Sequence, residues 1–155
     1  MSARALLFAS NRGFWLAVAP TAVLGVILLA LILAMRPAAE RASEFTARDN
    51  LRTAVAAARD VAAREGSFAG AKPLALGDEA AASDLLFIDP DLASNDPDVV
   101  SVFATDELWA GAVRAETGKC FWIRVTPGDA DAVGTGTDCS GEAAAGARPT
   151  VWPSP

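Results

Sequence analysis

"AAERASEFTARDNLRTAVAAARDVAARE", residues 38–65, decides how this chain folds. It has no Gly and no Pro, and it mixes Arg with Asp and Glu. Alanine and long charged side chains lose little freedom in a helix, so the stretch predicts one continuous helix. Phe45, Leu51, Val55, Ala58 and Ala62 fall on one stripe at helical spacing. The stripe is narrow and mostly small, so it calls for a flat partner that approaches closely. Glu44 and Arg48 stand four apart in the favourable order. Gly66 is the expected stop.

The flat partner lies downstream. Residues 66–98 carry clusters of Gly, Pro, Asp, Asn and Ser and read as loop, with Leu85, Leu86, Phe87 and Ile88 as an apolar patch expected to rest on the helix. Residues 99–145 read as a small antiparallel meander. "LWAGAVRA" places Trp109, Gly111 and Val113 on one face and Ala110, Ala112 and Arg114 on the other. "KCFWIRV" divides in the same way, Phe121, Ile123 and Val125 against Cys120, Trp122 and Arg124. Turns are expected at Glu116-Thr117-Gly118 and at Thr126-Pro127-Gly128-Asp129, with a weaker strand near Val133. The fold class expected is α+β: a long N-terminal helix on a small antiparallel sheet. Cys120 and Cys139 are the only cysteines and form one possible pair. Closing that loop stabilises by about 3 kcal/mol in the chain-entropy description. A redox role needs closer spacing and a lowered thiol pKa, and nothing in the sequence supplies them.

Upstream, residues 14–35 carry no charge and are rich in Leu, Val, Ile and Ala. At ~1.5 Å per residue they reach across a hydrocarbon layer of roughly 30 Å. A cleaved secretory signal is the rival reading, but its apolar part is shorter, and Ala17-Val18-Ala19 is followed by Pro20. A retained transmembrane helix is expected, bracketed by Pro20 and Pro37, with Arg4 and Arg12 before it and a mixed-sign flank after. That bare positive N-terminus favours an N-in orientation, placing residues 36–155 outside the cytoplasm, where a disulfide persists. The layout is a leader at 1–13, a span at 14–35, and a head at 36–155 with helix to about 65, loop to 98, meander to 145 and a tail from 146.

Net charge of −6 and the lack of a basic stripe argue against nucleic acid as a partner. The absence of His removes imidazole acid–base chemistry, His metal ligands and Ser-His or Cys-His pairs. "GTGTD" is too short for a phosphate loop, and neither an enzyme nor a cofactor is expected. Asp89, Asp91, Asp96 and Asp98, with Asn95, pose a calcium question, but they match no EF-hand spacing, and Asp beside Pro is common turn chemistry. Trp109, Trp122 and Trp152 are either core residues or the aromatic anchors of a binding surface.

The order of parts resembles a type IV pilin or pseudopilin: a short basic leader, an apolar helix running into an amphipathic one, a loop, a small sheet and a late disulfide. "NLRTAVAAARDVAAREGSFAGA", "TGKCFWIRV" and "GTGTDCSGEAA" are similar to segments of pilin-like proteins of high-GC Gram-positive bacteria. The resemblance covers residues 11 to about 145. It implies a prepilin-peptidase cut between Gly13 and Phe14 in "NRGFWLAVAP", with the lipid bilayer and the N-terminal helices of other pilin-like subunits as partners. Family members usually carry Glu at the fifth mature position to pair a neighbour's N-terminal amine; here it is Val18. A buried, unpaired ammonium is costly, so the resemblance implies a minor or divergent subunit. The alternative is a single-pass anchored binding domain that never polymerises.

Overall fold

The computed structural model describes residues 11–152, with side chains inside the first helix from Leu24 onward, Leu33 apart. The chain divides into two units, Met1–Ala39 and Glu40–Pro155. Helix α1 runs from Asn11 to Glu65 without a break and passes through both Pro20 and Pro37. Each proline removes one backbone donor from the helical ladder. Gly66 ends the helix at φ 82° while its N–H donates to the Ala62 carbonyl. A residue with a Cβ is disfavoured at that dihedral, which is why the stop falls here.

In the second unit a five-stranded sheet has the order β1-β2-β3-β4-β5. The strands are β1 (Leu86–Ile88), β2 (Val99–Ala104), β3 (Trp109–Arg114), β4 (Cys120–Val125) and β5 (Ala132–Gly136). β2 to β5 form the expected antiparallel meander, including the weak strand near Val133. The sheet as a whole is mixed, correcting the antiparallel expectation: β1 pairs parallel to β2, with Phe87 opposite Val100. β1 comes from the stretch read as loop. The apolar patch at 85–88 is long enough to add a three-residue edge strand, and Asp98 C=O accepts from Leu86 N–H to start the pairing. The same stretch also holds helix α2 (Pro73–Gly77) and two short 3-10 turns.

The two faces divide as the alternation requires. Trp109, Val113, Phe121, Ile123 and Val125 pack with Leu51, Val55, Ala58 and Val61 of α1. Ala110, Ala112, Cys120 and Trp122 form a separate cluster with Cys139 and Ala144. The helix stripe is shifted from the expected one. Ala47, Leu51, Ala54, Val55, Ala58 and Val61 are buried, whereas Phe45 is 56% exposed. Phe45 precedes Leu51 by six residues, about 120° away around the helix at ~100° per residue. Polar contacts fix the register: Ser43 Oγ accepts from Glu116 N–H at 2.8 Å, and Asn50 Nδ2 donates to the Pro97 carbonyl and to Asp98 Oδ1, each at 2.9 Å.

The second face is covered by a layer absent from the sequence reading. Cys120 and Cys139 are disulfide-bonded, and helix α3 (Gly141–Gly146) follows at once, capped by Ser140. A Cβ on Gly141 would stand 2.6 Å from the Val102 carbonyl carbon and 2.7 Å from Phe103 N. Backbone cannot yield as a side-chain end can, so Gly141→Ala is expected to lower stability by about 1–3 kcal/mol, read as a fall in the urea midpoint with an unchanged slope. Ser101, fully buried, donates through Oγ to the Asp89 carbonyl and accepts from Gly141 N–H at 2.7 Å. Ser101→Ala leaves both groups without that partner and is expected to cost about 1–3 kcal/mol in the same measurement. Ser94 is a second such junction. Its Oγ accepts from Arg114 N–H, and its own N–H donates to the Cys139 carbonyl.

Candidate functional site

The feature that sets this chain apart from an ordinary small α+β domain is the surface of the first unit. Every described side chain from residue 24 to 39 is exposed. Among them Leu24, Val26, Ile27, Leu28, Leu29, Leu31, Ile32 and Met35 are each 47–67% exposed. Consecutive positions spaced at about 100° cover the whole circumference, so this is an apolar cylinder with no polar side. A helix apolar all round needs a nonpolar environment on all sides, supplied by lipid or by other helices.

Among the described residues no helix is long and apolar enough to cross a membrane. The described side chains hold only part of the apolar run. Residues 24–35 rise only about 18 Å at ~1.5 Å each, against a hydrocarbon layer of roughly 30 Å. The rest of the expected span, residues 14–23, is helical backbone whose side chains lie outside those described. The expected cleavage pair Gly13 and Phe14, and Val18, share that position; the leader to Ser10 lies outside the described residues altogether.

Charge is segregated along the chain. Residues 1–39 carry Arg4, Arg12 and Arg36 and no acid, so the net −6 leaves −9 on the remainder. Between Lys72 and Arg114 there is no basic residue, yet nine acids occur there. Like-signed charge on an anionic lipid surface is repelled within a Debye length.

Asp96 and Asp98 serve the fold through their carboxylates, and Asp89 through its backbone carbonyl. Asp96 Oδ1 accepts from Asp98 N–H, Asp98 accepts from Asn50, and the Asp89 carbonyl takes the Ser101 hydroxyl. Among the described residues no group of three or more His, Cys, Asp or Glu is placed to hold a metal ion. Trp109 and Trp122 are buried, at 0% and 2% exposure, and so are not surface anchors. Trp109 Nε1 is buried with no hydrogen-bond partner among the described residues, a donor left dry inside the core. Trp152, in the tail, is not a free surface anchor either. It is half-buried: its Nε1 donates to the Gly134 carbonyl at 3.0 Å and its ring meets Phe121 edge-on.

Clefts open on the head among the described residues. One, of about 380 Å³, is lined by Glu107, Leu108, Arg124, Thr126 and Asp129 among others. Arg124 there donates to the carbonyls of Ala145 and Ala147, and Thr126 to Asp129, so these polar groups hold α3 and a turn in place. Another, of about 300 Å³, is a mostly apolar groove between Ala62, Ala63, Phe68 and Pro127. In the last turn of α1, Arg64 is bonded to Glu79. That bond holds the Glu79 carboxyl below its ordinary range and raises the Arg64 guanidinium further. A lowered carboxylate pKa means the pair stabilises above the ordinary value and fades as pH falls through the lowered one. Arg64 is exposed and Glu79 half-buried at the surface, so water screens the pair and the contribution is small.

No protein-family model matches the chain, and neither a curated protein nor a solved structure matches it.

Proposed function

We propose that this chain is a membrane-anchored, pilin-like structural subunit, minor or divergent, of a type IV pilus or type II secretion-like filament system. The observation that carries the reading is α1 itself. Its described apolar segment is uncovered on all sides, and the same helix continues through Ala47, Leu51, Val55, Ala58 and Val61 as the packing spine of the head. In this reading residues 14–35 sit in the bilayer, or among the corresponding helices of neighbouring subunits, and the head lies outside the cytoplasm. The buried Cys120–Cys139 bond supports that side of the membrane. Prepilin peptidase would act between Gly13 and Phe14, and the chain has no catalytic task of its own.

Val18 favours a second reading, an anchored domain that binds a partner without polymerising. Intact-mass measurement of the membrane-extracted protein separates the two. Loss of residues 1–13, with a methylated Phe14 amine, is the result expected of the pilin-like reading. An uncut leader on a protein that is monomeric in detergent favours the second.

A further inference from the structure

β5 is an outer strand of the sheet, and an outer strand offers unpaired backbone groups to any other chain. Here they are taken by the protein's own tail. Thr150 N–H donates to the Val133 carbonyl at 2.8 Å, and Trp152 Nε1 donates to the Gly134 carbonyl at 3.0 Å. The tail is held by its tryptophan. The indole stands at 89° to the Phe121 ring with centroids 6.4 Å apart, and the Arg52 guanidinium lies 5.4 Å from the indole centroid. The tail is thus a strap bonded to β5 and stapled to α1 and β4.

What the strap covers is an edge with none of the usual defences. Residues 132–137 read Ala-Val-Gly-Thr-Gly-Thr, with no charge and no proline. Asp131 and Asp138 flank the run. Two copies paired antiparallel about Gly134 would set Asp131 opposite Thr137, so no like charges meet. The devices that normally blunt an edge, a basic residue and a proline, are carried instead by the strap as Arg148 and Pro149. We propose that β5 is a homotypic docking edge for a second copy of this chain, and that residues 148–152 are the guard that keeps it closed. Release of the strap frees the outward carbonyl of Val133. Antiparallel pairing of two β5 strands is then a two-fold, self-complementary contact. This contact is separate from any association through the apolar part of α1.

The test uses the full chain in detergent, a chain ending at Arg148, and full-length Trp152→Ala, each with and without Thr135→Lys. By the two-residue alternation Thr135 follows Val133 as the next outward backbone position, and a lysine there places charge on the edge. Sedimentation and hydrogen exchange at β5 are the readouts. The expected result is that the shortened chain becomes dimeric with at least tenfold slower exchange at Thr135, that Trp152→Ala dimerises at higher concentration, and that Thr135→Lys returns both to the parent state. A folded shortened chain that keeps the parent's oligomeric state, with fast exchange at β5, overturns the proposal. So does dimerisation that Thr135→Lys leaves intact, because that contact lies elsewhere. Where circular dichroism shows the shortened chain unfolded, Trp152→Ala decides: if it does not dimerise, the proposal is wrong.

Discussion

Replacing Cys120 and Cys139 together by alanine is expected to destabilise the head by about 3 kcal/mol, before any loss of packing. The bond closes a loop with a sequence separation of 19. Both cysteines are fully buried in the cluster that holds Trp122 and Ala144. The Cys139 carbonyl also accepts from Ser94 N–H, and the next residues dock α3 against β2. Freeing Cys139 therefore loosens three things in sequence: the tail, α3, and the Ser94 junction that links the 89–98 loop to β3. With an unfolding entropy of about 2.1 cal/mol/K per residue, a unit of this size loses roughly 12 °C in Tm for 3 kcal/mol. Calorimetry of the double variant beside the reduced parent measures this. The two are expected to fall together, since each lacks the same cross-link.

Leu51→Ala is expected to cost about 3–5 kcal/mol in the urea midpoint. Leu51 is fully buried where α1 meets the sheet, close enough that a Cβ on Gly111 would stand 3.4 Å from its Cδ2. Removing three carbons there deletes apolar burial and leaves a hole between a helix and a sheet, neither of which can move far. The informative comparison is Phe45→Ala, a larger truncation on the same helix. Phe45 is exposed, so the head's stability is expected to change by only about 0.5 kcal/mol or less. Equal effects from the two variants would mean that the helix does not pack on the face assigned to it.

The contrast between Leu51 and Phe45 shows what periodicity conveys and what it does not. An apolar repeat announces a helix with one buried side. The centre of that side depends on the partner, and small residues such as Ala47 and Ala54 bury where a nearby aromatic does not. The strands were readable because both faces of "WAGAVR" and "CFWIRV" are packed, so alternation marks two cores. The short strand β1 was hidden because three residues carry too little pattern to separate a strand from an apolar loop patch. α3 was hidden more deeply. Its sequence is "GEAAAG", and what makes it a layer of the fold is the missing Cβ of Gly141 against β2 and the hydroxyl of buried Ser101, neither of which leaves a mark on hydropathy. The same holds for Trp152, placed by a hydrogen bond to a strand eighteen residues earlier. The apolar part of α1, by contrast, was legible directly, because residues 14–35 carry no charge and are rich in Leu, Val, Ile and Ala.

The central claim is that α1 anchors an outward-facing head in a membrane. Alkaline extraction of membranes carrying the full chain, followed by protease added from the outer side, tests it most directly. The account predicts that the protein stays in the membrane pellet and that the head is cleaved from outside, leaving the protected N-terminal segment behind. Release of intact protein into the alkaline supernatant, or a head protected from the external protease, would contradict it.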